Sequence, residues 1–159
     1  MEKLKQVQQL DNNFDKYFKD CLIELEQKDF CKKSELPNEP GIYVFYKSGK
    51  PVYVGRSDKI KSRVNLHARP SSMHGSATFA FILARRRYFE EHRGNLSLSR
   101  SELEKIPEFA EVFSKFKEEI NTYKFKFLLI ENDILQTMVE PYLAFKLCTY
   151  PENNTFENH

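Results

Sequence analysis

Apolar positions recur along the chain with changing period, and the periods outline its elements. In residues 2–29, Val7, Leu10, Phe14, Tyr17, Cys21 and Leu25 return at three- and four-residue steps, the repeat of one face of an α-helix. Leu36-Pro37 and Pro40-Gly41 break that pattern. Residues 42–46 (Ile-Tyr-Val-Phe-Tyr) and 52–54 (Val-Tyr-Val) are β-branched and aromatic, joined by Lys47-Ser48-Gly49-Lys50-Pro51, which predicts a β-hairpin. Gly55 is expected to end the second strand. Ser57 or Asp58 then caps a helix with Ile60 and Val64 on its buried side. Arg63 and His67, four apart, share one face of that helix. Residues 69–76 read as a loop, and a helix through Phe79 and Arg85–Arg87 comes next, with Gly94 as its stop.

Ser101-Glu102-Leu103-Glu104 has the spacing of a capping box. Pro107 suits the first turn of a helix running to about Thr122. Residues 123–130 predict a third strand. Asn132-Asp133 caps a last helix containing Glu140, which Pro141 is expected to disturb because its ring removes a donor and crowds the preceding turn. The expected fold is α/β of the α+β kind: a small, three-stranded, mostly antiparallel sheet flanked by helices. Residues 1–36 are expected to form an N-terminal helical extension, and residues 37–159 the domain proper.

Composition narrows the class. A chain of 159 residues suits one ordinary core. A net charge of +2 does not by itself argue for nucleic acid, but its distribution changes the picture. Between Lys47 and Arg69 the only acid is Asp58, among basic residues that include Arg56, Lys59, Lys61 and Arg63. A local positive face suits contact with phosphates. Cys21, Cys31 and Cys148 have no CxxC spacing, which argues against a disulfide framework or a thiolate zinc site and for a reducing cytoplasm. No apolar run approaches the ~20 residues that cross a bilayer, and the first residues lack the apolar region of a signal peptide. The expectation is a cytoplasmic protein with no membrane partner.

The candidate chemistry lies in two triplets and in a set of residues C-terminal to them. Residues 41–43 are Gly-Ile-Tyr and residues 53–55 are Tyr-Val-Gly; Tyr53 lies ten positions after Tyr43, and Arg63 ten after Tyr53. Then come Gly55-Arg56-Ser57, His67, a helical Glu140 and Asn154-Thr155-Phe156-Glu157-Asn158-His159. In this order and spacing the chain resembles the GIY-YIG nuclease family, with valine replacing the central isoleucine of the second triplet. The likeness spans residues 41–159. It implies a GIY-YIG-like fold and a metal-dependent endonuclease that hydrolyses DNA phosphodiester bonds, restriction-like or repair-like. It further implies catalytic roles for Tyr43, Tyr53, Arg63, His67, Glu140 and Asn154. Glu140 would bind one Mg²⁺ (or Mn²⁺), and Asn154 would steady the site, with Asn153 its rival for that place. Either tyrosine is a candidate general base, and Tyr43 is preferred.

These residue types fit such a reaction. Phosphodiester hydrolysis needs an activated water, stabilisation of added negative charge and help for the departing oxygen. A phenol, with an ordinary pKa of ~10, accepts a proton only where cations stabilise the phenolate; Arg56, Arg63 and His67 are the candidates. Arginine presents a planar fork of donors to phosphate oxygens. One carboxylate with waters and substrate oxygens is a normal Mg²⁺ arrangement. Arg56, Ser57, Lys59, Lys61 and His74 are the expected substrate contacts. Each residue also has a plain structural explanation: strand tyrosines with buried rings, an exposed helix face for Arg63 and His67, surface charge for Glu140, a loop position for His74. The rival function is a nucleic-acid-binding module that retains the fold without catalysis. The N-terminal helix raises a weak homodimer as one expectation and packing on its own domain as another.

Overall fold

The computed structural model describes residues 13–92 and 98–155. The chain divides into two compact units, residues 1–61 with 124–159, and residues 62–123.

The first unit is built on the sheet. Strands β1 (Gly41–Lys47), β2 (Lys50–Ser57) and β3 (Lys124–Leu129) lie in the order β2-β1-β3, and both pairings are antiparallel. The three-stranded sheet flanked by helices is therefore present as expected. The hairpin turn is tighter than the linking residues suggest: Ser48 and Gly49 alone turn the chain, with φ of 51° and 76°, the pair of positive values that matches the twist of a two-residue hairpin. Pro51 is absorbed by a shift of register between Phe45 and Tyr46, where no ladder N–H is required of it. Gly55 does not end β2, which runs on to Ser57.

One face of the sheet carries Ile42, Val44, Val54 and Leu128. Against it pack helix α1 (Phe14–Gln27), through Cys21 and Leu25, and helix α6 (Asp133–Lys146), through Leu135, Val139, Leu143 and Ala144. The described part of the N-terminal helix thus packs on its own domain; Val7 and Leu10 lie outside the described residues. Asn132 caps α6, its side chain accepting from the N–H groups of Ile134 and Leu135, each at 3.0 Å. Pro141 does not interrupt α6. A proline costs an isolated helix about 3 kcal/mol, and here four core residues on the helix's apolar face outweigh it.

The second unit is helical: α3 (Thr78–His92), α4 (Arg100–Leu103) and α5 (Pro107–Ile120). Its core is aromatic, with the Phe81 ring tilted against Phe109 at 5.2 Å and edge-on to Phe113 at 5.7 Å. The capping box falls two residues earlier than Ser101 suggests, on Ser99 and Glu102. Both pairs have the same Ser-x-x-Glu spacing, and Glu104 has another partner, His74. Pro107 opens α5 as expected; Gly94 lies outside the described residues. Helix α2 (Ile60–Ala68) begins in the first unit and continues into the second. Its first N–H groups are satisfied by the carbonyls of Glu39 and Pro37, at 3.1 and 2.9 Å from Ile60 and Lys61, rather than by a side-chain cap. No helix among the described residues is long and apolar enough to cross a membrane.

Candidate active site

The two triplets face each other across the hairpin. Tyr43 pairs with Gly55, and Phe45 with Tyr53. Side chains alternate along a strand, so Tyr43 and Tyr53 are diagonal neighbours on the sheet face away from α6. Phe45 joins them, 5.5 Å from the Tyr43 ring and 5.4 Å from the Tyr53 ring. Both tyrosines are buried, at 1% and 8% exposure. The glycines have a steric reason. A Cβ on Gly55 would overlap the phenol of Tyr43, and one on Gly41 would overlap the backbone of Leu128 in β3. Glycine at residue 55 thus lets the Tyr43 hydroxyl lie across the edge strand.

One residue further along β2, the side chain turns to the other face. There the Arg56 Nε lies 3.2 Å from a carboxylate oxygen of Glu140 on α6. The Glu140 side chain is 17% exposed and that of Arg56 44%, so solvent and solutes reach the pair.

β2 is an edge strand, and its outward backbone groups need partners. Asn154 supplies them. Its Oδ1 accepts from the Val54 N–H at 3.0 Å and from the Thr149 hydroxyl at 2.9 Å, while its Nδ2 donates to the Val54 carbonyl at 2.7 Å. Asn153 donates to the Val52 carbonyl at 2.7 Å. The two asparagines that compete on sequence are both strand clamps, and Asn154, at 5% exposure, is the buried one. Thr149, which sequence reasoning missed, orients it; nothing in the sequence pattern singles Thr149 out.

The remaining basic candidates have diverse surroundings. Lys61 donates to the Ser34 carbonyl at 2.9 Å, and Ser57 accepts from the Lys59 N–H at 3.0 Å. Lys59 is exposed. In the second unit, Arg63 donates to the Ser76 carbonyl at 3.0 Å and the Thr78 hydroxyl at 3.5 Å, so its fork of donors holds the end of the loop to the first residue of α3. His67 is fully buried. Burial, with a smaller contribution from the Arg63 charge, pushes its pKa down to about 3. It is a neutral imidazole near neutral pH, and the expectation that it adds positive charge to a phenolate is corrected: sharing a helix face with Arg63 placed it in the core. His74 is bound twice by Glu104, through its N–H and through Nδ1, each at 2.7 Å.

The divalent cation that the resemblance implies would have Glu140 as its ligand among the described candidate residues. Among the described residues no three His, Cys, Asp or Glu side chains gather into a metal cage. A single solvent-reachable carboxylate, Glu140, fits an ion such as Mg²⁺, which keeps most of its own water.

No family model and no solved structure matches the chain. A stretch of 43 residues, 27% of the chain, is 40% identical to UvrABC system protein C of Deinococcus radiodurans. The match spans 7% of that protein's length.

Proposed function

We propose that the chain is a metal-dependent nuclease of the GIY-YIG family that hydrolyses phosphodiester bonds in DNA, using Mg²⁺ (or Mn²⁺). The observation that carries this reading is the convergence of groups on residues 52–56 of β2. The Tyr43 hydroxyl crosses Gly55 from one face, Arg56 and Glu140 meet on the other, and Asn153 and Asn154 hold the backbone between them. The stretch shared with UvrABC system protein C supports a nuclease acting on DNA.

In this reading Tyr43 takes the proton of the attacking water and Tyr53 orients the same water. Arg56 offers charge and a donor fork to a phosphate oxygen. Glu140 would hold the divalent ion, which when bound supplies charge stabilisation at the phosphate. Asn154 is a positioning residue: it fixes the peptide between Tyr53 and Gly55, and with it the distance between the two faces of the site.

Near-complete burial of both tyrosine rings favours the second reading, a nucleic-acid-binding module without catalysis. One experiment separates the two. Plasmid, branched and single-stranded DNA are incubated with the protein and with Glu140→Gln, with and without Mg²⁺, and the products are mapped. The nuclease reading expects Mg²⁺-dependent cuts by the parent, a loss of at least ~100-fold in the variant, comparable to removing a major transition-state stabiliser, and similar DNA affinity in both. Binding without cutting by the parent supports the module instead.

A further inference from the structure

Residues 69–76, the loop between α2 and α3, are held by the charged side chains of Lys117, Arg63 and Glu104. Lys117 of α5, at 6% exposure, donates to the carbonyls of Pro70 at 2.6 Å and Ser72 at 3.1 Å. Arg63 donates to that of Ser76. Glu104 accepts from the His74 N–H and lies 2.7 Å from its Nδ1. The loop's carbonyls are thus drawn inward by two cations and its histidine is fixed by a carboxylate. Such pinning lowers the conformational entropy that a contact loop loses on binding.

The groups that the loop turns outward differ in kind. Arg69 is exposed and has no partner among the described residues. Met73 is 63% exposed. A carboxylate only accepts, so the ring proton of His74 sits on Nδ1 and its Nε2 faces away from Glu104, unclaimed by any described residue. Beside them, Gly75 has open space where a Cβ would stand. A cation, an imidazole nitrogen and a flexible apolar side chain on one rigid loop match the phosphate and the apolar surfaces of a nucleic-acid strand.

We propose that loop 69–76 is a DNA-contact surface, in which Arg69 and His74 bind a backbone phosphate and Met73 packs against the adjoining sugar or base. The assignment rests on the nuclease reading and extends it by naming residues of the helical unit that contact the DNA backbone. In the complex His74 faces two anions, donating from Nδ1 to Glu104 and, with a second ring proton taken up from solvent at Nε2, donating from Nε2 to the phosphate. Glu104 is then a positioning residue.

The test measures duplex binding without metal by fluorescence anisotropy over a range of salt, in the Glu140→Gln protein so that no cutting intervenes. Arg69→Ala with His74→Ala should weaken binding about 10-fold at low salt. It should also reduce the slope of log affinity against log salt by roughly 1 for each phosphate that is no longer neutralised. Glu104→Gln should weaken binding less than His74→Ala, and adding it to His74→Ala should change affinity no further, as expected when one group acts through the other. Unchanged affinity and slope in a double variant that still folds, alongside metal-dependent cutting by the parent chain, would overturn the loop assignment and leave the nuclease reading in place. Absence of both cutting and duplex binding in the parent chain would remove the nuclease reading and this proposal together.

Discussion

The edge of β2 and the loop 69–76 both leave backbone polar groups short of partners, and the molecule satisfies them with opposite chemistry. At β2 the missing partners include both a donor and an acceptor, for the C=O and N–H of Val54, and a neutral amide supplies both at once. At the loop the unmet groups are chiefly carbonyls, and cations satisfy them: Lys117 for Pro70 and Ser72, Arg63 for Ser76. An amide keeps its hydrogen bonds at any ordinary pH. The helical unit instead gathers ionisable groups in buried places, His67 and Lys117 among them, so its stability is tied to proton uptake. A strand clamped by neutral groups and a loop pinned by charged ones should therefore respond differently to acid and to mutation.

The largest expected effect is on acid stability. His67 has a pKa of about 3 in the folded chain against an ordinary 6.5. As pH falls below 6.5 the unfolded chain takes up a proton that the folded chain refuses. Stability is whole above that pH and declines through the window down to about 3, by up to about 1.4 kcal/mol per pH unit. Urea unfolding of the parent and of His67→Gln across this range measures the slope; the variant, weaker at neutral pH, should lack the histidine contribution. Parallel curves would break the contrast.

Next in size is Asn154→Ala. It strands the N–H and C=O of Val54 in a buried setting, while the Thr149 hydroxyl keeps the Ala144 carbonyl, and we expect a loss of about 3 kcal/mol, since each unmet buried group costs about 1–3 kcal/mol and the strand relaxes in part. The loss should be the same at pH 7 and pH 5. Denaturant midpoints at the two values check both statements.

Smallest is Lys117→Met, which keeps the length of the side chain and removes the donors to two carbonyls. Burial holds the Lys117 pKa below its ordinary value, with Glu104 opposing that shift, so the ammonium is itself costly to bury. Its removal recovers part of the stability given up with the hydrogen bonds, and we expect a net loss of about 1–2 kcal/mol by the same unfolding measurement. A loss equal to that of Asn154→Ala would mean that charge and amide clamps are equivalent here.

Period and turn chemistry are local properties, so the hairpin, the Asn132 cap and the Pro107 helix start were legible from residues within a few positions of each other. The order of the candidate site residues was legible in the same way. The two triplets stood out as a pair; their steric logic, a glycine beneath the Tyr43 ring and another against Leu128, did not. Choosing which of two Ser-x-x-Glu spacings caps α4 required the folded chain, because Glu104 is drawn away by a histidine 30 positions earlier. Folding also made Asn153 and Asn154 clamps on a strand about 100 positions before them, and made His67 a neutral core group rather than a cation. Helical spacing puts two residues on one face without saying whether that face meets water or protein, and the desolvation that sets charge depends on this. Pro141 shows the same limit from the other side: the local cost of a proline was legible, and the packing that outweighs it comes from residues the helix meets only after folding.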